Sequence, residues 1–188
     1  MRQFKYGTEI YESVMSSAME LFTQIGFSGC ELKAVFDAAQ VSPEKGAPYF
    51  ETKEELFNAV VNKLITGSAL ECAGILKSDG GSAEERLEAA LTHIAAAAEK
   101  TDMMSKGADI NVANIKRHIL TGVDACAELC QAFQKWIEDG VQEGALKIKS
   151  PACAANFMAF GLLGLRYAPC SESAKAAAAR EYILDMVH

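Results

Sequence analysis

Apolar residues recur at three- and four-residue steps along nearly the whole chain, and no segment shows the strict alternation of a half-buried strand. In the segment TEIYESVMSSAMELFTQIG, one helical face collects Ile10, Val14, Ala18, Leu21, Phe22 and Ile25. The glycine that follows, Gly26, suits the end of that helix. A chain with this period throughout must bury helix against helix. We therefore predict an all-α protein of about nine helices.

Capping signals mark where several of these helices begin. Thr52 with Glu55, and Ser82 with Glu85, have the spacing of capping boxes, which satisfy free amides at a helix N-terminus. The first box predicts a long helix from about residue 53 into the seventies. Further segments predict a short helix, a long helix and two final helices, in this order: VANIKRHIL, DACAELCQAFQKWIEDGVQEG, SPACAANFMAFGLLGLRYA and SESAKAAAAREYILDMV.

Composition argues against several classes of protein. The 188 residues contain no run of eighteen apolar residues, so we expect no membrane span, and the segment MRQFKYGTEI lacks the apolar core of a secretory signal. Six cysteines without a C-x-x-C pair are expected to be reduced thiols of a cytoplasmic protein. The chain has no Ser-His-Asp spacing, glycine-rich phosphate loop or HExxH motif. We therefore expect neither enzymatic activity nor a bound metal or cofactor.

The most specific pattern in the chain lies between residues 10 and 57. It consists of positions that align without a gap: Ala18, Leu21, Phe22, Gly26, Phe27, Val35, Ala38, Ala39, Val41, Ser42, Tyr49, Phe50, Lys53, Glu54, Glu55 and Leu56. On these residues the segment resembles the N-terminal domain of the tetracycline-repressor-like (TetR) family of bacterial transcription regulators. The resemblance implies a three-helix helix-turn-helix DNA-binding head, residues 1–52, and a larger helical ligand-binding and dimerisation body, residues 53–188. It also implies a homodimeric repressor that a small-molecule effector releases from its double-stranded DNA operator.

The residues of the head fit this interpretation. Two short helices joined by AAQVS form a helix-turn-helix, whose second helix is the candidate reader of the major groove. Candidate DNA contacts are Lys33, Ser42, Glu44, Lys45, Tyr49 and Lys53. Ser42 caps the reader helix and can donate to a phosphate, and Glu44 can accept from a cytosine amino group. Lys53 lies at the N-terminus of the next helix, where backbone amides also favour a phosphate.

The head departs from the family pattern at several positions. Cys30 replaces a usual capping threonine, and Gln40 replaces a usual glycine. Pro48 has no amide to donate, so it is expected to shorten or end the reader helix. Residues 1–57 carry five bases against nine acids, a formal difference of −4, which predicts weak DNA binding with a shallow salt dependence. The alternative is a regulator fold that has lost operator binding and acts through a protein partner or through ligand binding alone.

The body contains candidate ligand contacts among its aromatic, histidine and methionine residues. They are His93, Met104, His118, Phe133, Trp136, Phe157, Phe160 and Arg166. Residues of these types at helical spacing also serve as ordinary core. Arg166 could hold an anionic ligand or pair with a carboxylate across a dimer. Cys126 and Cys130 share a helix face, where a redox switch would require a lowered thiol pKa and zinc would need more than two ligands.

The last two predicted helices are the candidate homodimer interface. Gly161 and Gly164 would permit close helix contact beside Leu162, Leu163 and Leu165. The segment AKAAAAREYILDMV adds an alanine face, so two helices from each subunit could form a four-helix interface. The same pattern would also serve ordinary packing within one chain.

Overall fold

A computed structural model of the protein describes residues 9–108, 112–165 and 170–187, and gives the backbone alone for 112–125 and 163–165. Within these ranges the chain is all-α and has no strand, as the periodicity predicts. The helices are α1 Glu9–Gly29, α2 Leu32–Ala38, α3 Pro43–Gly46, α4 Lys53–Lys77, α5 Ala83–Met104, α6 Val112–Gln142, α7 Pro151–Leu165 and α8 Glu172–Val187.

The predicted number of helices was too high by one in the described ranges. The short helix around VANIKRHIL and the long helix after it form one continuous helix, α6, from Val112 to Gln142. Gly122 lies inside α6 and does not end it. A glycine in a helix interior costs only about 1 kcal/mol relative to alanine, which the packing of a long helix can offset.

The chain divides into two compact units. One comprises Met1–Lys63 with Lys100–Asn111, and the other comprises Leu64–Glu99 with Val112–His188. The division therefore falls inside α4 and inside α5. The predicted boundary between residues 52 and 53 separates proposed functions and remains a prediction.

The first unit is built around an aromatic and aliphatic core. Helices α1, α2 and α4 bury Val14, Ala18, Phe22, Val35, Phe36, Leu56 and Val60. Phe57 meets Phe22 edge-on, with the ring centroids 5.1 Å apart. Gly26 interrupts the helical conformation of α1 with φ 72°, as its predicted role at the end of a helix requires. Directly after this break, the Ser28 amide donates to the Lys106 carbonyl at 3.0 Å, so the segment after α5 is attached to the end of α1.

Gln40, at the position where the TetR pattern usually has glycine, adopts the left-handed conformation that a glycine would occupy freely. Its φ is 57°, and among the described residues no other non-glycine residue has a positive φ. Because this conformation costs a residue with a Cβ atom roughly 1–2 kcal/mol, we expect Gln40→Gly to raise the free energy of unfolding by about 1 kcal/mol. Chemical denaturation measures the change. Gln24→Gly, in the exposed interior of α1, is the control and should lower stability instead. Equal effects at the two positions would contradict the strain at Gln40.

The second unit has its own core, centred on Phe133, Trp136 and Ile137 of α6. The Trp136 indole donates to the Ala83 carbonyl at 2.7 Å, so its one polar atom is satisfied. Arg86 is also buried and donates to the Leu76 and Ser78 carbonyls at 3.1 and 3.0 Å. Its third acceptor is Asp139 at 3.0 Å, so one guanidinium ties together α4, α5 and α6.

Helix α4 is, by length and composition alone, the one helix of the described ranges that could cross a membrane. Core helices of soluble proteins pass the same test, so this is weak evidence for a span. Several α4 side chains, including Leu56, Val60, Cys72 and Leu76, are buried in the two cores.

A candidate DNA-binding surface and a candidate subunit interface

Helices α2 and α3, joined by the turn over residues 39–42, form the predicted helix-turn-helix. The Ser13 hydroxyl of α1 donates to the Ala39 carbonyl at 3.1 Å and so attaches this turn to α1. The Val41 amide donates to the Phe36 carbonyl at 2.9 Å. These bonds fix where the chain enters α3.

Helix α3 is a single turn, Pro43–Gly46, with Ser42 at its N-cap position. Pro43 occupies the first turn, where no amide is needed. The amides of Tyr49 and Phe50 both donate to the Gly46 carbonyl, at 2.9 and 3.2 Å, and so close a turn. Helix α3 ends at Gly46, two residues before Pro48, as the predicted shortening of the reader helix by Pro48 requires.

The predicted DNA contacts lie in different environments. Lys33, Ser42, Glu44 and Lys45 are exposed. Ser42 makes no side-chain capping bond to α3, which corrects its predicted capping role and leaves its hydroxyl available for a phosphate. Tyr49 is half-buried, with its ring centroid 6.2 Å from that of Tyr11. These positions are compatible with contacts from α3 and its flanks, which remain predictions.

Lys53 is the candidate contact whose environment differs most from the expectation. It is half-buried at the start of α4, and its ammonium group donates to the Phe27 carbonyl at 3.1 Å. The same group lies over the Phe27 ring, 4.4 Å from the centroid. The ammonium therefore already has partners in the head, and its predicted contact with a phosphate would compete with them.

We expect Lys53→Met to lower the free energy of unfolding by about 1–2 kcal/mol, because it removes both a hydrogen bond and a cation–π contact. Thermal or chemical denaturation of the full-length chain measures the loss. The control is Lys33→Met, on the exposed surface of α2, which should change stability by less than about 0.5 kcal/mol. If the two variants were equally stable, the contacts of Lys53 would contribute nothing to the head.

The predicted capping boxes form, with one difference. At α5, the Ser82 amide donates to Glu85 at 2.8 Å, and the Glu85 amide donates to the Ser82 hydroxyl at 3.3 Å. These bonds to Ser82 hold the pKa of the Glu85 carboxyl below its usual value. At α4, the Glu55 amide donates to the Thr52 hydroxyl at 3.1 Å, but the Glu55 carboxylate accepts from the Glu51 amide. The return bond of the α4 box thus comes from the residue before Thr52.

The candidate ligand contacts do not gather around one cavity in the part of the chain that the structure describes. Phe133 and Trp136 are fully buried against each other, with ring centroids 6.4 Å apart, so they form core. Met104 is buried within the first unit. His93 is half-buried, 3.3 Å from the Glu71 carboxylate. The side chains of His118 and Arg166 lie outside the described residues.

Phe157 and Phe160, the other two candidates, lie on the outer face of α7. Phe157 is 75% exposed and Phe160 is 57% exposed. On α8, Tyr182 is 64% exposed and Met186 is exposed as well. Phe157, Tyr182 and Met186, together with Gly161, line one apolar groove between the two helices. We call Phe157, Phe160, Gly161, Tyr182 and Met186 the α7–α8 face.

Sequence reasoning missed two members of this face, Tyr182 and Met186. The signal was present, because α8 has two apolar rows of residues four apart. Ile183 and Val187 form the buried row, and Tyr182 and Met186 form the exposed one. A helix that is apolar on two sides needs a second surface to pack against.

Of the paired cysteines of α6, Cys126 lacks the lowered pKa that a reactive thiol requires. Burial, followed by the neighbouring Cys130 thiol, raises the pKa of Cys126 to about 11, and burial raises the pKa of Cys72 to about 12. Raised values disfavour the thiolate that redox chemistry requires. Cys130 lies 3.7 Å from the Asn156 side-chain oxygen. Across the described ranges, no three His, Cys, Asp or Glu residues gather as a metal site would require.

Comparison with solved structures identifies the fold. A transcriptional regulator from Cytophaga hutchinsonii superposes with a TM-score of 0.68 at 17% identity, over 93% of this chain and 92% of that one. A TetR/AcrR-family regulator from Thermobifida fusca gives 0.58 at 18%, over 95% and 98%. The regulator FadR from Bacillus subtilis, solved in complex with stearoyl-CoA, gives 0.54 at 16%, over 95% and 100%. No protein-family model and no curated protein sequence matches the chain.

Proposed function

We propose that this chain, which has the fold of TetR-family regulators, is a cytoplasmic, non-catalytic transcription regulator that binds operator DNA as a homodimer. The proposal rests on the surface position of α3 in a helix-turn-helix, within a fold that the compared regulators share over more than nine-tenths of their length. In this proposal, each subunit places one α3 in the major groove. The operator is then near-palindromic, with half-sites one helical turn apart or a multiple of it.

The α7–α8 face supports dimerisation through a second copy of the chain. Its exposed aromatic rings are unfavourable in water, and large exposed apolar patches commonly mark interaction sites. Gly161 has open space around it, with no atom within 4 Å of an ideal Cβ position. A partner helix could therefore approach α7 closely at this point. Burying the face of one subunit against that of another would remove both from water.

A small-molecule effector completes the proposed mechanism. Such an effector lowers operator affinity only if it binds two conformations of the dimer with different affinity. Two segments could transmit that difference to the head. Helix α4 begins in the first compact unit and ends in the second. The chain directly after α5, residues 105–108, is attached to α1 through the bond from the Ser28 amide to the Lys106 carbonyl.

The contact of that segment with α1 is close. An ideal Cβ atom on Gly107 would lie 2.5 Å from the Ser28 hydroxyl, and one on Gly26 would lie 2.9 Å from the Lys106 Cβ. Both glycines have a positive φ. Because neither position has room for a side chain, a displacement of the segment would also displace α1.

A second candidate function is a regulator fold that no longer binds an operator and acts through a protein partner or a ligand. Two observations favour it. The acids of the head outnumber its bases, and the ammonium group of Lys53 is engaged by Phe27. Both reduce the positive charge available to neutralise phosphates.

Fluorescence anisotropy distinguishes the two functions. The full-length protein is titrated into labelled duplex DNA from the region upstream of its own gene, at low and at physiological salt, against a scrambled duplex of equal length. The proposed function predicts saturable binding at nanomolar protein that prefers the upstream sequence at both salt concentrations. Equal binding to both duplexes, or none at low salt, would support the second candidate function.

A further inference from the structure

The single turn of α3 has a defined inner side. Gly46 is buried, and an ideal Cβ atom there would lie 2.7 Å from Cζ and 2.8 Å from Cδ1 of the Phe36 ring. The bare backbone of Gly46 therefore rests directly against the ring of Phe36 on α2. This contact fixes the rotation of α3 about its own axis.

The rotation of α3 determines which of its side chains points outward. Successive residues of a helix are about 100° apart, so a residue two positions away lies about 200° around the axis. Glu44 is two positions before Gly46 and is exposed, so it lies nearly opposite the packed side. Lys45, also exposed, lies about 100° from each of them, on the flank. The outermost side chain of the reader helix is thus a carboxylate.

A carboxylate distinguishes bases by what they present in the major groove. It accepts hydrogen bonds and donates none. Guanine presents two acceptors and thymine presents an acceptor beside its methyl group, so both disfavour a carboxylate. The adenine amino donor lies between two acceptors, its own N7 and the O4 of the paired thymine, whereas the cytosine amino donor has an acceptor, the O6 of the paired guanine, on one side only. Cytosine is therefore the base whose edge suits Glu44 best.

We propose that Glu44 is a specificity-determining residue of this chain and selects a cytosine in each operator half-site. This inference rests on the proposed DNA-binding function and adds the class of base that the reader helix requires. Lys45, on the flank of α3, is placed for the phosphate backbone, which carries no sequence information directly. In this proposal Glu44 selects the base, and Lys45 binds the phosphate backbone.

Selection from a random-sequence duplex library tests the proposal. The full-length wild-type protein, Glu44→Gln and Lys45→Gln are each taken through the same selection. Both positions are exposed, so the variants should fold normally, which thermal denaturation checks. Glutamine pairs through two bonds with adenine. We expect the wild-type protein to enrich cytosine at one position of each half-site, and Glu44→Gln to enrich adenine at that position.

The decisive quantity is the affinity ratio between two otherwise identical operators, one with cytosine and one with adenine at that position. Loss of a negative charge raises affinity for all DNA, and the ratio removes this general effect. We expect the ratio to change by roughly tenfold or more between the wild-type protein and Glu44→Gln. Lys45→Gln should weaken binding to both operators equally and leave the ratio unchanged.

The outcomes separate this inference from the function on which it rests. If the wild-type protein and Glu44→Gln enrich the same sequence, the chain binds DNA selectively but Glu44 does not select a base. The role is also wrong if Lys45→Gln alters the selected base and Glu44→Gln does not. If the wild-type protein enriches no sequence, the proposed function and the inference both fail.

Discussion

Phe157→Asp is expected to separate the protein into monomers at concentrations at which the wild-type chain is dimeric. Phe157 is the most exposed of the large apolar residues that the structure describes, and it lines the groove between α7 and α8. A carboxylate at the centre of a subunit interface would be buried without a partner, and the aromatic contact would be lost as well. We expect the dimer dissociation constant to rise by roughly 100-fold or more. Sedimentation equilibrium over a range of protein concentrations measures it.

The matched control for Phe157 is Val141→Asp. Val141 is an exposed apolar residue of α6 and does not line the groove. The same charge introduced there should leave the dissociation constant unchanged. A dimer that tolerates aspartate at residue 157, or that weakens equally with aspartate at residue 141, would contradict the assignment of the α7–α8 face.

Gly46→Ala is expected to abolish selective DNA binding and to destabilise the head. A methyl group at this position would overlap the Phe36 ring, and neither the backbone of α3 nor a buried ring can move away without loss of packing. Overpacking of this kind costs about 1–3 kcal/mol. Displacement of α3 would also reduce operator affinity toward the non-specific level, by roughly 1,000-fold or more. Chemical denaturation and anisotropy measure the two losses.

A control and a second-site variant make the effect of Gly46→Ala specific. Gly74→Ala introduces a methyl group into open space on the exposed side of α4 and should stabilise the protein. Phe36→Leu in combination with Gly46→Ala removes the ring atoms that the methyl group would meet, so the double variant should recover part of the lost affinity. If Gly46→Ala bound the operator as well as the wild-type protein, the contact with Phe36 would not position α3.

Much of the fold was predictable because helices carry local signals. The period of apolar residues predicted an all-α chain, and the side chains of Thr52 and Ser82 marked the starts of α4 and α5 correctly. Pro48 predicted a short reader helix for a reason confined to its own backbone. These features depend on residues that are close in sequence, and they are read directly from it.

The parts that could not be predicted depend on contacts distant in sequence. Nothing near Lys53 indicates that its ammonium group meets Phe27, twenty-six residues earlier. Likewise, the aromatic residues of the body look alike in sequence, yet Trp136 is core and Phe157 is surface. The role of Gly46 is invisible until Phe36 is placed against it. The sequence therefore predicted candidate residues for the body but not which of them share a surface.

Sedimentation velocity of the full-length protein with two fluorescent duplexes, at physiological salt, shows whether the chain binds operator DNA as a dimer. One duplex carries a sequence chosen by selection, and the other carries the same bases in scrambled order. A dimeric operator-binding regulator predicts a complex of two chains with each selected duplex and no complex with the scrambled duplex at the same protein concentration. Equal complex formation with both duplexes, or none with either, would show that the chain is not an operator-binding regulator.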